Sequence, residues 1–142
     1  MTKETGAAAM PELSGTANKD LTGISTSFEI REGTVLVMAG DTIGRGDDQL
    51  GRTLAKSFLY TLSQAEMLPG TIIFLNSGVK LVCQDSDAIA SLLALEERGV
   101  EILSCGTCLD FYHLKEQVVA GKVSNMYAIV DTLTRAPKVI HF

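Results

Sequence analysis

Two cysteines separated by two small residues, Cys105 and Cys108 in "SCGTC", are the side chains of this sequence best suited to chemistry. A thiolate is both a nucleophile and a metal ligand. Two thiols at this spacing could pair as a disulfide, hold a metal, carry a sulfur atom or pack as small apolar groups. The strand-like run "VEILS" ends at Cys105, and a helical pattern opens at about Thr107, so the pair sits where a strand gives way to a helix. Unpaired N–H groups and the helix dipole favour the thiolate at such a junction, which predicts a lowered pKa.

Each use of the pair asks for different company. A zinc site needs three or four ligands, and only Cys83, His113, His141 and carboxylates remain, with no second CxxC. No metal and no cofactor are therefore expected. A thioredoxin-like oxidoreductase would bring a cis-proline loop near its thiols. Pro11, Pro69 and Pro137 instead fall in the N-terminal segment, after the first helix and before the last strand. A sulfur carrier needs one activated thiol that can hold a persulfide beside backbone N–H groups. That fits Cys105 best, with Cys108 as a neighbour able to resolve it. Cys83 reads as structural, and His113 as a surface or packing residue off the face of Cys108.

The elements that must position these thiols follow from periodicity. Residues 1 to about 28 show no sustained period and read as a tail or linker, with the folded domain expected over 34–142. "TVLVMAG" is a continuous apolar run, as in a strand covered on both faces. Leu50, Leu54, Phe58 and Leu62 recur every four residues and predict one helix face, with Asp47 and Asp48 at its positive end and Pro69-Gly70 beyond it. "TIIFLNSG" predicts the second strand. A second helix buries Ile89, Leu92 and Leu93, is capped by Asp85 or Ser86 and stops at Gly99. A third helix is expected from about Thr107 to Val119, with Phe111, Leu114 and Val118 on one face. "KVSN", "MYAIVDTLTRA" and "KVIHF" complete a strand, a helix and a strand. Strict alternation means a parallel five-stranded sheet in a three-layer α/β/α sandwich. Ligands in such folds sit outside the carboxyl ends of the strands, which marks loops 40–48, 76–85, 104–108 and 124–127. Arg45, Asn76, Ser77, Thr107 and Asn125 are the candidate crevice residues there. "GDTIGRGDDQLG" is not a phosphate loop, since it lacks Gly-Lys-Ser/Thr and GxGxxG. It reads as a turn needing positive φ, with Arg45 available to an anion.

Bulk properties narrow the classes. The chain has 142 residues, one domain's worth, and 46% hydrophobic residues, enough for a full core. A net charge of −5 with 12 scattered basic residues argues against a nucleic-acid or anionic-membrane surface. No run approaches the roughly 20 apolar residues of a membrane span, and the first residues lack a signal-peptide pattern. A cytoplasmic protein is expected. Its 3 cysteines do not suggest a disulfide scaffold.

"LSCGTCLDFYHLKE…GKVSNMYAIVDTL", together with "GDTIGRGDDQLGRTLAKSFLYTL" and "IIFLNSGVKL", resembles the C-terminal domain of the YedF group of selenium-metabolism proteins. These are part of the DsrE/DsrF-like superfamily of sulfur-relay proteins. The resemblance implies a sheet of strand order 4-3-2-1-5. It also implies a cysteine after the third strand, here Cys105, that takes sulfur as a persulfide and passes it on. A homo-oligomer and a TusA-like sulfur donor or acceptor protein are further implications. YedF-type proteins begin with a TusA-like domain bearing a Cys-Pro motif. No Cys-Pro occurs here and residues 1–33 are too few for that domain, so the expectation is a separate donor or a piece of a longer protein. The functional expectation is a sulfur or selenium carrier, sulfurtransferase-like, with a non-catalytic oligomeric binding module or a CxxC dithiol oxidoreductase as the alternatives.

Overall fold

A computed structural model describes residues 29–142. Of the tail or linker expected over residues 1–33, residues 1–28 lie outside the described residues, and 29–33 belong to the first strand instead. The order is β1 (Glu29–Met38), α1 (Asp48–Gln64), β2 (Met67–Phe74), a 3-10 segment Asn76–Val82, α2 (Ile89–Glu97), β3 (Glu101–Cys105), α3 (Gly106–Phe111), a 3-10 turn Lys115–Gln117, β4 (Lys122–Ser124), α4 (Met126–Arg135) and β5 (Lys138–His141). All five strands run parallel in the order β4-β3-β2-β1-β5. The expected α/β architecture and strand order are thus the ones observed.

The layers are unequal. Residues alternate across a strand, so Leu36 and Met38 face one side while Val35 and Val37 face the other. The first side carries α1, α2 and α3, and its core joins Leu36, Met38, Ile72 and Phe74 to Ala55, Leu59, Leu92, Leu95 and Leu109. The second side is smaller: Val35, Val37, Ile73, Leu103 and Cys105 meet Ile129 of α4. The chain reverses direction across the sheet between β4 and β5, and a right-handed crossover then puts α4 on the opposite face.

Several expected boundaries and faces differ. β1 begins at Glu29, five residues before the expected Thr34, with a register break between Arg31 and Val35. β2 includes Pro69 and Gly70. Proline is tolerated there because β3 pairs with β2 only from Thr71 onward, so no ladder donor is demanded at Pro69 on that side. On α1 the buried row is Gly51, Ala55, Leu59 and Ser63, one residue along from the expected leucine row. Leu50 and Leu54 are 57% and 42% exposed. Small residues let the helix lie close to the sheet, and a one-residue offset is about a 100° rotation that spacing cannot fix. On α2 the inward pair is Leu92 and Leu95, while Leu93 points out.

The third helix is the largest departure. It lasts only from Gly106 to Phe111. His113 then takes φ 58, the left-handed region that ends a helix. Phe111, expected on the buried face with Leu114 and Val118, is 76% exposed.

Next to the thiols, the Ser104 hydroxyl is buried without a hydrogen-bond partner. An orphaned polar group carries its full desolvation cost. Ser104→Ala is therefore expected to leave stability unchanged or raise it by about 1 kcal/mol in denaturant unfolding. A clear loss would reveal a partner for the hydroxyl.

Candidate functional site

Cys105 is the last residue of β3 and Cys108 lies in the first turn of α3. The strand directs Cys105 to the α4 side, where it is 1% exposed among Val37, Ile73, Leu103 and Ile129. Cys108 is half-buried at the rim of both cores. Both are free thiols, and the two side chains are near enough for Cys105 to influence the ionisation of Cys108.

The second group at the site comes from the loop after β2. Asn76 stands at φ 51, a left-handed conformation that asparagine tolerates better than most residues. This turns its backbone N–H onto Cys108 Sγ at 3.1 Å. Tyr112 Oη donates to Asn76 Oδ1 at 3.0 Å, and Lys80 Nζ lies 4.7 Å from the Tyr112 ring centroid, a cation–π contact. Three contacts thus run from the Cys108 sulfur to the Lys80 ammonium.

The electrostatics of Cys108 differ from the expectation. Burial pushes its thiol above the usual cysteine range, the Asn76 N–H pulls it down, and the Cys105 side chain pushes it up again. The expected depression fails because burial, together with Cys105, outweighs the one backbone N–H that favours the thiolate. Cys83 is also raised, by burial. Its Sγ donates to the Val79 carbonyl at 3.3 Å, which suits the structural role expected for it.

The other candidate residues scatter. Ser77 Oγ accepts from the Asp41 N–H at 3.2 Å and so ties the two post-strand loops together. Asn125 caps α4, accepting from the Ala128 N–H at 2.9 Å, so its side chain is engaged in capping. Thr107 is exposed on α3. Arg45 is exposed between Gly44 and Gly46, whose φ values of 84 and 135 confirm a turning loop. His113 and His141 are exposed. Among the described residues, no three His, Cys, Asp or Glu side chains gather where a metal could bind. No helix there is long and apolar enough to cross a membrane. Tyr112 and Lys80 were not legible as site residues, because nothing in their sequence neighbourhood shows that one helix turn meets the loop after β2.

Comparison with known proteins gives the fold a context. The sequence profile of the DsrE/DsrF-like family matches residues 37–142. The ychN protein of E. coli superposes with TM-score 0.54 at 14% identity, over 77% of this chain and 98% of that one. A conserved protein of unknown function from Bacteroides thetaiotaomicron gives 0.55 at 14%, over 78% and 95%. A protein of unknown function from Methanobacterium thermoautotrophicum gives 0.54 at 17%, over 81% and 99%. At such identities the likeness is one of fold. No curated protein sequence matches the chain.

Proposed function

This chain belongs to the DsrE/DsrF-like family, and from that premise we propose that it is a sulfur carrier working through a cysteine persulfide, of the YedF type. The observation that carries the reading is the backbone N–H of Asn76 aimed at a half-buried Cys108 sulfur, with a second thiol beside it. In this reading the roles expected from the sequence exchange. Cys105 is too buried to meet a partner's sulfur, so Cys108 is the acceptor and Cys105 its resolving neighbour.

The step is a thiol–persulfide exchange. Cys108, as thiolate, attacks the terminal sulfur of a donor persulfide, R–S–SH. A new S–S bond forms on Cys108, the donor's S–S bond breaks, and its electron pair leaves with the donor thiolate. The proton stays on the transferred sulfur. The Asn76 N–H stabilises negative charge on the Cys108 sulfur. Selenium would follow the same route. The donor or acceptor in this proposal is a TusA-like protein in the cytoplasm, and exposed Leu50 and Leu54 of α1 give a second copy of the chain an apolar surface to cover.

Incubation with a persulfide donor followed by intact-mass measurement is expected to show one added sulfur per chain, and native mass measurement of the same sample more than one chain per particle. Absence of the adduct would remove the carrier reading, and a monomer the self-association. The thiol–thiol contact also suits a second reading, a dithiol oxidoreductase. Failure to form a reversible Cys105–Cys108 disulfide in a redox titration would exclude it.

A further inference from the structure

Beside the carboxyl ends of β1 and β2, between α1 and the loop leading to α2, lies a cavity of about 320 Å³. Its wall carries Arg52, Lys56 and Lys80 together with Asp41, Asp85 and Asp87. None of the six takes part in the ion pairs formed among the described residues, which are Lys115–Asp110, Lys122–Glu101 and Arg135–Asp131. Three cations and three carboxylates thus line one open space with no ion pair at contact distance between them. A simple anion entering it would meet three carboxylates, and a simple cation three positive groups. A molecule carrying both signs meets a partner for each. The volume sits near the lower end of small-molecule sites, roughly 300–1,000 Å³, which suits an amino acid or a very short peptide.

A chain of contacts also links the wall of the cavity to Cys108. Lys80 lines it and stacks on Tyr112, Tyr112 holds Asn76, and Asn76 holds Cys108. We propose that this cavity binds the zwitterionic head of a low-molecular-weight thiol of the amino-acid type, such as a cysteine-containing peptide, with its sulfur toward Asn76 and Cys108. The carboxylate end pairs with Arg52 and Lys56, and the ammonium end with the aspartates. The direction of the sulfur rests on the carrier reading above; the zwitterion site does not.

S-Methylglutathione, which carries both charges and a blocked sulfur, tests the site by calorimetric titration of the full chain. Saturable binding at one site per chain is expected. Arg52→Ala and Asp85→Asn should each weaken it by on the order of tenfold, as for loss of one charge-assisted hydrogen bond. Cys108→Ala should leave it unchanged. No saturable binding, or binding indifferent to both Arg52→Ala and Asp85→Asn, would overturn the proposal. So would acetate or methylamine binding as tightly as the zwitterion. Because the probe cannot transfer sulfur, intact binding alongside failed sulfur loading would sink the carrier reading and uphold the site.

Discussion

Cys108→Ala is expected to reduce sulfur loading to background, whereas Cys105→Ala should still load. The asymmetry follows from access and from the N–H donor: Cys108 is half-buried with the Asn76 N–H at 3.1 Å, while Cys105 is enclosed under α4. The pH profile separates this from mere loss of a thiol. Burial first, and Cys105 second, hold the Cys108 pKa above the ordinary value. Its reaction with iodoacetamide should therefore reach half its maximal rate at a pH above about 8.5, the half-point of an unperturbed cysteine. Removing Cys105 takes away its influence, which raises that pKa, so the Cys105→Ala profile should move to lower pH. The linkage has a definite sign. A group protonated more tightly in the folded state makes the unfolded state the weaker proton binder, so stability falls as pH rises beyond the unfolded value. Equal loading of both single variants, or a profile unmoved by Cys105→Ala, would contradict the assignment.

Gly78→Ala should damage the fold and the site together. The 3-10 segment crosses the end of β1 so closely that a Cβ on Gly78 would overlap the Met38 carbonyl oxygen and reach within 3.2 Å of Gly40 N. Both obstacles are backbone and neither can turn aside. Leu75 N–H already donates to that same Met38 oxygen at 3.0 Å, so any shift of the segment strains this bond as well. Overpacking of this kind costs about 3 kcal/mol, which lowers Tm by on the order of 10 °C in a domain of this size. Asn76, two residues away, would move with the segment, so sulfur loading should slow even in the fraction that stays folded. Gly44→Ala is the control. Its φ of 84 makes alanine somewhat strained, but nothing lies within 4 Å of the new Cβ, and the site should be untouched. A Gly78→Ala protein as stable as the Gly44→Ala one would show that the crossing is looser than its geometry.

The alternation of apolar strand runs and helical periods made the parallel sheet legible in the sequence, because each strand is covered on both sides and reads as continuously apolar. The position of Cys105 at the end of β3 was legible for the same reason. What stayed hidden depends on contacts between distant residues. The burial of Cys105 comes from α4, and the N–H on Cys108 comes from a loop over thirty residues earlier. Left-handed Asn76 and His113 look like ordinary loop and helix residues until their φ values are seen. The leucine spacing of α1 points to the wrong face because the contact face begins with Gly51 and Ala55, whose lack of bulk leaves no apolar signal.

The unequal layers also set where the protein can breathe. Cys105 has a single ten-residue helix over it, and only Ile129 of that helix is fully buried. Segments with so few buried contacts exchange their amide hydrogens through small openings rather than global unfolding. On the carrier reading, Cys105 is thus shielded in the resting ensemble and would be exposed whenever α4 lifts. A partner that binds the lifted form would draw Cys105 into the exchange without any need to unfold the sheet.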